Sequence, residues 1–158
     1  MAFETAMEFC SPNPVPYQAL YLFGQKNLGK THLLLSMGNQ VAEMGLRAVY
    51  IQGQDFVDKM VDDLSPKNLK TMEQLLNVDF FLMDNVESLA HSSKAQEKLY
   101  HIYNQMMEKG GKLAFTASLP PDSNSAMESY LTSRFQWGMV AEIKPIDDST
   151  TSRIILKL

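Results

Sequence analysis

The stretch Gly24-Gln25-Lys26-Asn27-Leu28-Gly29-Lys30-Thr31 decides the reading of this chain. It fits the pattern G-x-x-x-x-G-K-[ST], and each fixed residue type has a physical task. The glycines let the backbone curl until successive N–H groups point inward, a cradle suited to phosphate oxygens. A helix starting at Lys30 adds the positive end of its dipole. Lys30 is placed to reach the outer phosphates of a nucleoside triphosphate, and the Thr31 hydroxyl to ligate Mg2+. With glycine at about 7% of residues, a chance match in a chain of this size is about one in two hundred. The apolar run Ala19–Phe23 lies upstream and a helical periodicity to Met44 lies downstream. That context of strand, loop and helix separates a phosphate loop from an accidental glycine-rich turn. The residues expected to hold nucleotide are therefore Gly24, Gln25, Lys26, Asn27, Leu28, Gly29, Lys30, Thr31 and His32, with ATP or ADP and Mg2+ as cofactors.

Outward from the loop, short apolar runs alternate with longer helical periodicities, the signature of a parallel α/β sheet. Strands are predicted at Ala19–Phe23, Ala48–Gln52, Asp79–Met83, Leu113–Thr116 and Met139–Ile143. Helices are predicted at Phe3–Cys10, from Lys30 to Met44 with Gly45 as its stop, and at Lys94–Lys109, where Leu99, Ile102, Tyr103 and Met106 share a face. Gln54–Leu76 reads as two helices broken at Ser65–Pro66. Pro12, Pro14 and Pro16 favour extended chain before the first strand. Ser125-Ala-Met-Glu128 has the form of a capping box opening a helix that runs to about Phe135. Pro145 separates the last strand from a final helical segment. The expected fold is α/β, a three-layer P-loop NTPase with a five-stranded parallel sheet, in one domain over residues 1–158. The apolar residues Ile154, Ile155, Leu156 and Leu158 suggest that more chain follows.

A phosphate loop needs an acidic residue at the end of a neighbouring buried strand to hold the shell of the magnesium ion. Asp84, closing Asp79-Phe-Phe-Leu-Met-Asp84, sits where ligands of open parallel sheets bind. ATPases of this type commonly place a second carboxylate next, to orient or deprotonate the attacking water. Here the position is Asn85, whose amide can hydrogen-bond water but cannot take its proton. Slow hydrolysis is the expectation. Glu87 admits two readings, a substitute base or an ordinary surface carboxylate, and the second is the usual one.

Composition narrows the class. The chain has 158 residues, 45% of them apolar and 20% charged, as in ordinary globular domains. Lys plus Arg number 14 against 18 Asp plus Glu, a net charge of −4. A protein relying on general attraction to duplex DNA is normally basic, so any nucleic-acid contact must come from a local patch. A single cysteine and the lack of a signal-peptide pattern or of a long apolar run fit a cytoplasmic protein with no membrane span. His32, His91 and His101 lack metal-ligand spacing.

These residues resemble the AAA+ domain of the bacterial replication initiator DnaA family. LYLFGQKNLGKTHLLLSMGN (20–39) is similar to that family's Walker A strand, loop and helix. VDFFLMDNVESLAHSSKAQEKLYHIYNQMMEKGGKLAFTASLPP (78–121) follows its Walker B and sensor I region, and LTSRFQWGMVAEIKP (131–145) its arginine-finger segment. The resemblance implies that Ser118 takes the sensor I position, where the family usually has Asp. Arg134 becomes the arginine finger, reaching the γ-phosphate of a neighbouring subunit. The expected catalytic set is thus Lys30, Asp84, Asn85, Ser118 and Arg134, with Thr31 and Asp84 serving Mg2+. A second arginine common in the family, four residues earlier, is replaced by Tyr130. Residues 54–78 have nearly the length of the family's helical insertion that contacts single-stranded DNA, which makes Lys59, Lys67, Lys70 and Lys94 candidate phosphate contacts. A solvated helical face carrying Asp58, Asp62 and Asp63 accounts for the same residues. The family's lid helices and helix-turn-helix domain have no counterpart in this sequence. The implied function is ATP-dependent self-assembly on DNA at replication origins. The alternatives are a regulator acting on another AAA+ partner and a scaffold with little ATPase activity. The Asp84-Asn85 pair followed by Glu87 resembles Hda, a DnaA-related regulator, although the length of the insertion favours the initiator side.

Overall fold

Among the residues that the computed structural model describes (2–12, 14–26, 28–60 and 73–144), five short runs form a single sheet in the order β2-β3-β4-β1-β5. The strands are β1 (Ala19–Phe23), β2 (Ala48–Gln52), β3 (Phe80–Asp84), β4 (Lys112–Ala117) and β5 (Met139–Glu142). Every pairing is parallel. Parallel neighbours need crossovers, which the helices supply. α1 (Ala2–Phe9) precedes β1, and the crossovers carry α2 (Lys30–Glu43), α3 (Gly53–Met60), α4 (Ser93–Glu108) and α5 (Ser129–Trp137). Residues 73–76 add a helical turn, and Val86–Leu89 a short 3-10 turn directly after β3.

Two cores, one on each face of the sheet, make three layers. Side chains alternate across a strand, so neighbours in sequence enter different cores. Leu20 and Leu22 of β1, with Phe80 and Leu82 of β3, pack under α1 and α2 against Phe9, Leu34, Met37 and Val41. Tyr21 of β1, with Phe81 and Met83 of β3, packs under α3, α4 and α5 against Phe56, Leu99, Ile102, Leu131 and Phe135. Each residue of β3 is buried, as a central strand covered on both faces requires. This is the expected α/β three-layer fold.

Boundaries differ in three informative places. β3 starts at Phe80 rather than Asp79, and it includes Asp84. The Asp79 side chain is used outside the strand, accepting a hydrogen bond from Arg47 N at 2.8 Å. The capping box is absent. α5 begins at Ser129 after Glu128, with no side-chain cap. Asn124 instead takes the local role, its Oδ1 accepting from Ala126 N at 3.1 Å, and Glu128 N donates to Gln96 Oε1 at 2.7 Å. α4 is capped by Ser92, whose hydroxyl accepts from Ala95 N at 3.2 Å. The break at Ser65–Pro66 and the apolar end of the chain lie outside the described residues.

Candidate nucleotide site

β1 lies between β4 and β5, so the connections leaving β1 and β4 run to opposite sides of the sheet. A crevice opens at such a reversal, outside the carboxyl ends of the strands. The loop Gly24–Gly29 lies there, at the end of β1 and the start of α2. Two of its glycines are needed for different reasons. Gly24 passes so close to the chain after β5 that a Cβ would stand 2.5 Å from the Ile143 carbonyl oxygen. Gly29 has φ 85°, the left-handed region that other residues enter at a cost. It precedes the first turn of α2, whose leading N–H groups have no partner within the helix.

Lys30 is 7% exposed, and its Nζ donates to the carbonyls of Gly24 (2.5 Å) and Ala117 (3.2 Å). Its ammonium is thereby fixed at the root of the loop. Thr31 Oγ1 donates to Asp84 Oδ2 at 2.5 Å. Asp84 is fully buried and accepts two further hydroxyls, from Tyr50 at 2.8 Å and from Thr116 on Oδ1. Thr116 in turn accepts from Asn85 N at 2.9 Å. Burial first, and the hydrogen bond to Asp84 second, push the Tyr50 hydroxyl above its ordinary value, so it remains a donor to the carboxylate. Three donors around a buried carboxylate fix its orientation.

In front of this network lies an open cleft of about 540 Å³, lined by Lys26, Gly29, Lys30, Thr31, His32, Asn85, Glu87, Ser88 and Ser118. The sequence-derived residues Lys30, Thr31, Asn85 and Ser118 therefore meet around one space, with Asp84 directly behind Thr31. Gln25 is exposed and Leu28 half-buried, both within the loop but outside the cleft lining, while Asn27 lies outside the described residues. Asn85 adopts φ 54°, a left-handed conformation that suits Asn better than most residues. That kink turns the chain back, so that Glu87 reaches the cleft. Glu87 is not the surface carboxylate expected. Its Oε1 accepts from Ser118 Oγ at 3.1 Å, and its Oε2 is buried with no hydrogen-bond partner among the described residues.

Arg134 is not in this cleft. It occupies the last turn of α5, where Nη2 donates to Tyr100 Oη at 3.0 Å and the guanidinium lies 3.7 Å from the centre of the Trp137 ring. Tyr130, one turn earlier, packs edge-on against Tyr100 with ring centres 5.0 Å apart. Lys59 closes α3 and Lys94 opens α4, both exposed on helices that pack together, while Lys67 and Lys70 lie outside the described residues. Tyr50, Thr116 and the inward position of Glu87 were not singled out in the sequence. A hydroxyl inside the otherwise apolar run Leu113–Ala117 was the available signal for Thr116.

Known proteins resemble this chain over most of its length. The family description "Bacterial DnaA ATPase domain" matches residues 1–142. The chromosomal replication initiator protein DnaA of Campylobacter fetus is 34% identical over 140 residues, covering 88% of this chain and 32% of that protein. Domain III of the Thermotoga maritima replication initiation protein DnaA superposes with a TM-score of 0.88 at 34% identity, covering 99% of this chain and 66% of the other. A replication initiator DnaA bound to AMPPCP and single-stranded DNA superposes with a TM-score of 0.89 at 27% identity, covering 99% of this chain and 49% of the other. The chain spans about a third of the length of the curated relatives it matches, 32% and 36% for two of them. Among the described residues, no helix is long and apolar enough to cross a membrane.

Proposed function

We propose, since this chain belongs to the bacterial DnaA ATPase domain family, that its cleft binds ATP and that the nucleotide governs assembly with neighbouring subunits on DNA at replication origins. The observation that carries this is the Thr31 hydroxyl on the Asp84 carboxylate beside the buried Lys30, all at the N-terminus of α2. The leading N–H groups of α2, which have no partner within the helix, suit phosphate oxygens, and Lys30 adds a positive charge at the outer phosphates. Thr31 and Asp84 are hard oxygen donors, the donor set that Mg2+ prefers. Mg2+ held there would neutralise charge on the phosphate oxygens. The AMPPCP-bound DnaA, alike over 99% of this chain, supports the same occupant.

Hydrolysis in this cleft is slow, because the position beside Asp84 where a proton acceptor is commonly found carries the amide of Asn85, and any acceptor must reach the water from elsewhere in the cleft. Arg134 lies outside its own chain's cleft, a placement that suits a role toward the nucleotide of an adjoining subunit. Lys59 and Lys94 are the described candidates for single-stranded DNA, in line with the DNA-bound relative. Titration calorimetry with Mg·ATP tests the premise. The unsubstituted chain takes up nucleotide, and Lys30→Ala weakens uptake at least about tenfold, or roughly 1.4 kcal/mol. Unchanged affinity in that variant, or no uptake by either protein, overturns it.

A further inference from the structure

We propose that Glu87, rather than Asn85, receives the proton of the attacking water when ATP is hydrolysed in this cleft, with Ser118 as its positioning residue. The proposal rests on ATP being the occupant of the cleft.

Glu87 shares the cleft lining with Lys30, Thr31 and Ser118. It belongs to the 3-10 turn Val86–Leu89, brought back toward the phosphate loop by the left-handed Asn85. The turn is firmly mounted. Ser88 N donates to Asn85 O, Ala90 N donates to Glu87 O, and the buried Gln96 side chain donates to the carbonyls of Leu89 and Ala90. The two carboxylate oxygens have unequal surroundings. Oε1 is steered by Ser118 Oγ at 3.1 Å, whereas Oε2 is buried and has no partner among the described residues. A buried acceptor with no donor is costly in a folded protein and calls for an explanation. A water donating to Oε2 while facing a triphosphate supplies the missing donor.

The chemistry separates the two side chains. The amide oxygen of Asn85 can accept a hydrogen bond but cannot hold the proton, whereas a carboxylate can do both. In the step, the water oxygen bonds to the γ-phosphorus, and the bond from that phosphorus to the β–γ bridging oxygen breaks. ADP leaves with the electron pair. One water proton remains on the new phosphate, and the other passes to Glu87 Oε2 and from there to bulk water. Ser118 keeps the carboxylate from turning away.

Glu87→Gln is the discriminating change, because a glutamine oxygen can still accept from Ser118 but cannot take a proton. With the full chain in excess over Mg·ATP, single-turnover hydrolysis by Glu87→Gln falls about 100-fold or more, the usual size of a general-base contribution, while calorimetric affinity for Mg·ATP is retained. The rate of the unsubstituted chain falls on the acid side, and that limb of the pH–rate profile disappears in Glu87→Gln. A variant rate within about threefold of the parent overturns the proposal, as does ATP uptake by the parent without hydrolysis. A parent rate that is flat at acid pH overturns it even if the variant does not fold. Absence of Mg·ATP uptake by the parent removes the occupant itself, whereas each of the other failures leaves ATP binding standing.

Discussion

Cys10 is fully buried in the core beneath α1 and α2, and burial pushes its thiol up to about 12, against a pull downward from the Lys112 ammonium. An unfolded chain's thiol loses its proton near 9.0. Between those values the folded state holds more protons than the unfolded one, so stability falls as pH rises through the window. The slope is at most about 1.4 kcal/mol per pH unit from this one group. Denaturant midpoints measured from about pH 9 upward are expected to fall less steeply in Cys10→Ala, and parallel slopes would count against this account. At the same scale, the phosphate loop was legible because its chemistry fixes residue type by position, from Gly24 to Thr31. Asp84 followed from being the acid at the end of a buried run. Tyr50 and Thr116 were not legible, since their hydroxyls matter only because β2 and β4 flank β3, a fact of topology rather than of spacing. Glu87 was misjudged because one backbone angle, at Asn85, decides which way it faces.

At the scale of elements, Gln96 does the joining. It is 1% exposed on α4, donates to Leu89 O at 2.9 Å and Ala90 O at 3.3 Å, and accepts from Glu128 N at 2.7 Å. The side chain therefore ties the turn after β3 to the entrance of α5. Gln96→Leu keeps the bulk but leaves these backbone groups unpaired, at about 1–3 kcal/mol for each one left buried. Urea unfolding is expected to show a lower midpoint with an unchanged slope, and an unaltered midpoint would refute the role. This contact also explains why the start of α5 was misplaced. Ser125 and Glu128 fit a local capping pattern, but a tertiary bond from a residue 32 positions away satisfies the Glu128 N–H instead. Strands and long helices were legible because apolar alternation and periodicity follow directly from burial on one or both faces.

For the whole molecule, strand order β2-β3-β4-β1-β5 collects the ends of β1, β3 and β4 at one edge, where the loop, Asp84 and Ser118 meet. Order of this kind cannot be read from periodicity, which gives each strand its faces but not its neighbours. The same arrangement leaves Arg134 outside its own cleft, between Tyr100 and Trp137. If Arg134 serves an adjoining subunit, light scattering is expected to show ATP-dependent mass growth that Arg134→Ala abolishes. Identical masses for parent and variant with ATP would exclude that role. The guanidinium lies against the indole of the chain's single tryptophan, and that ring is 66% exposed. Withdrawal of the cation toward a phosphate on another molecule would change the polarity around a lone intrinsic fluorophore. Emission from Trp137 should therefore report docking of that arginine in real time, with no attached dye.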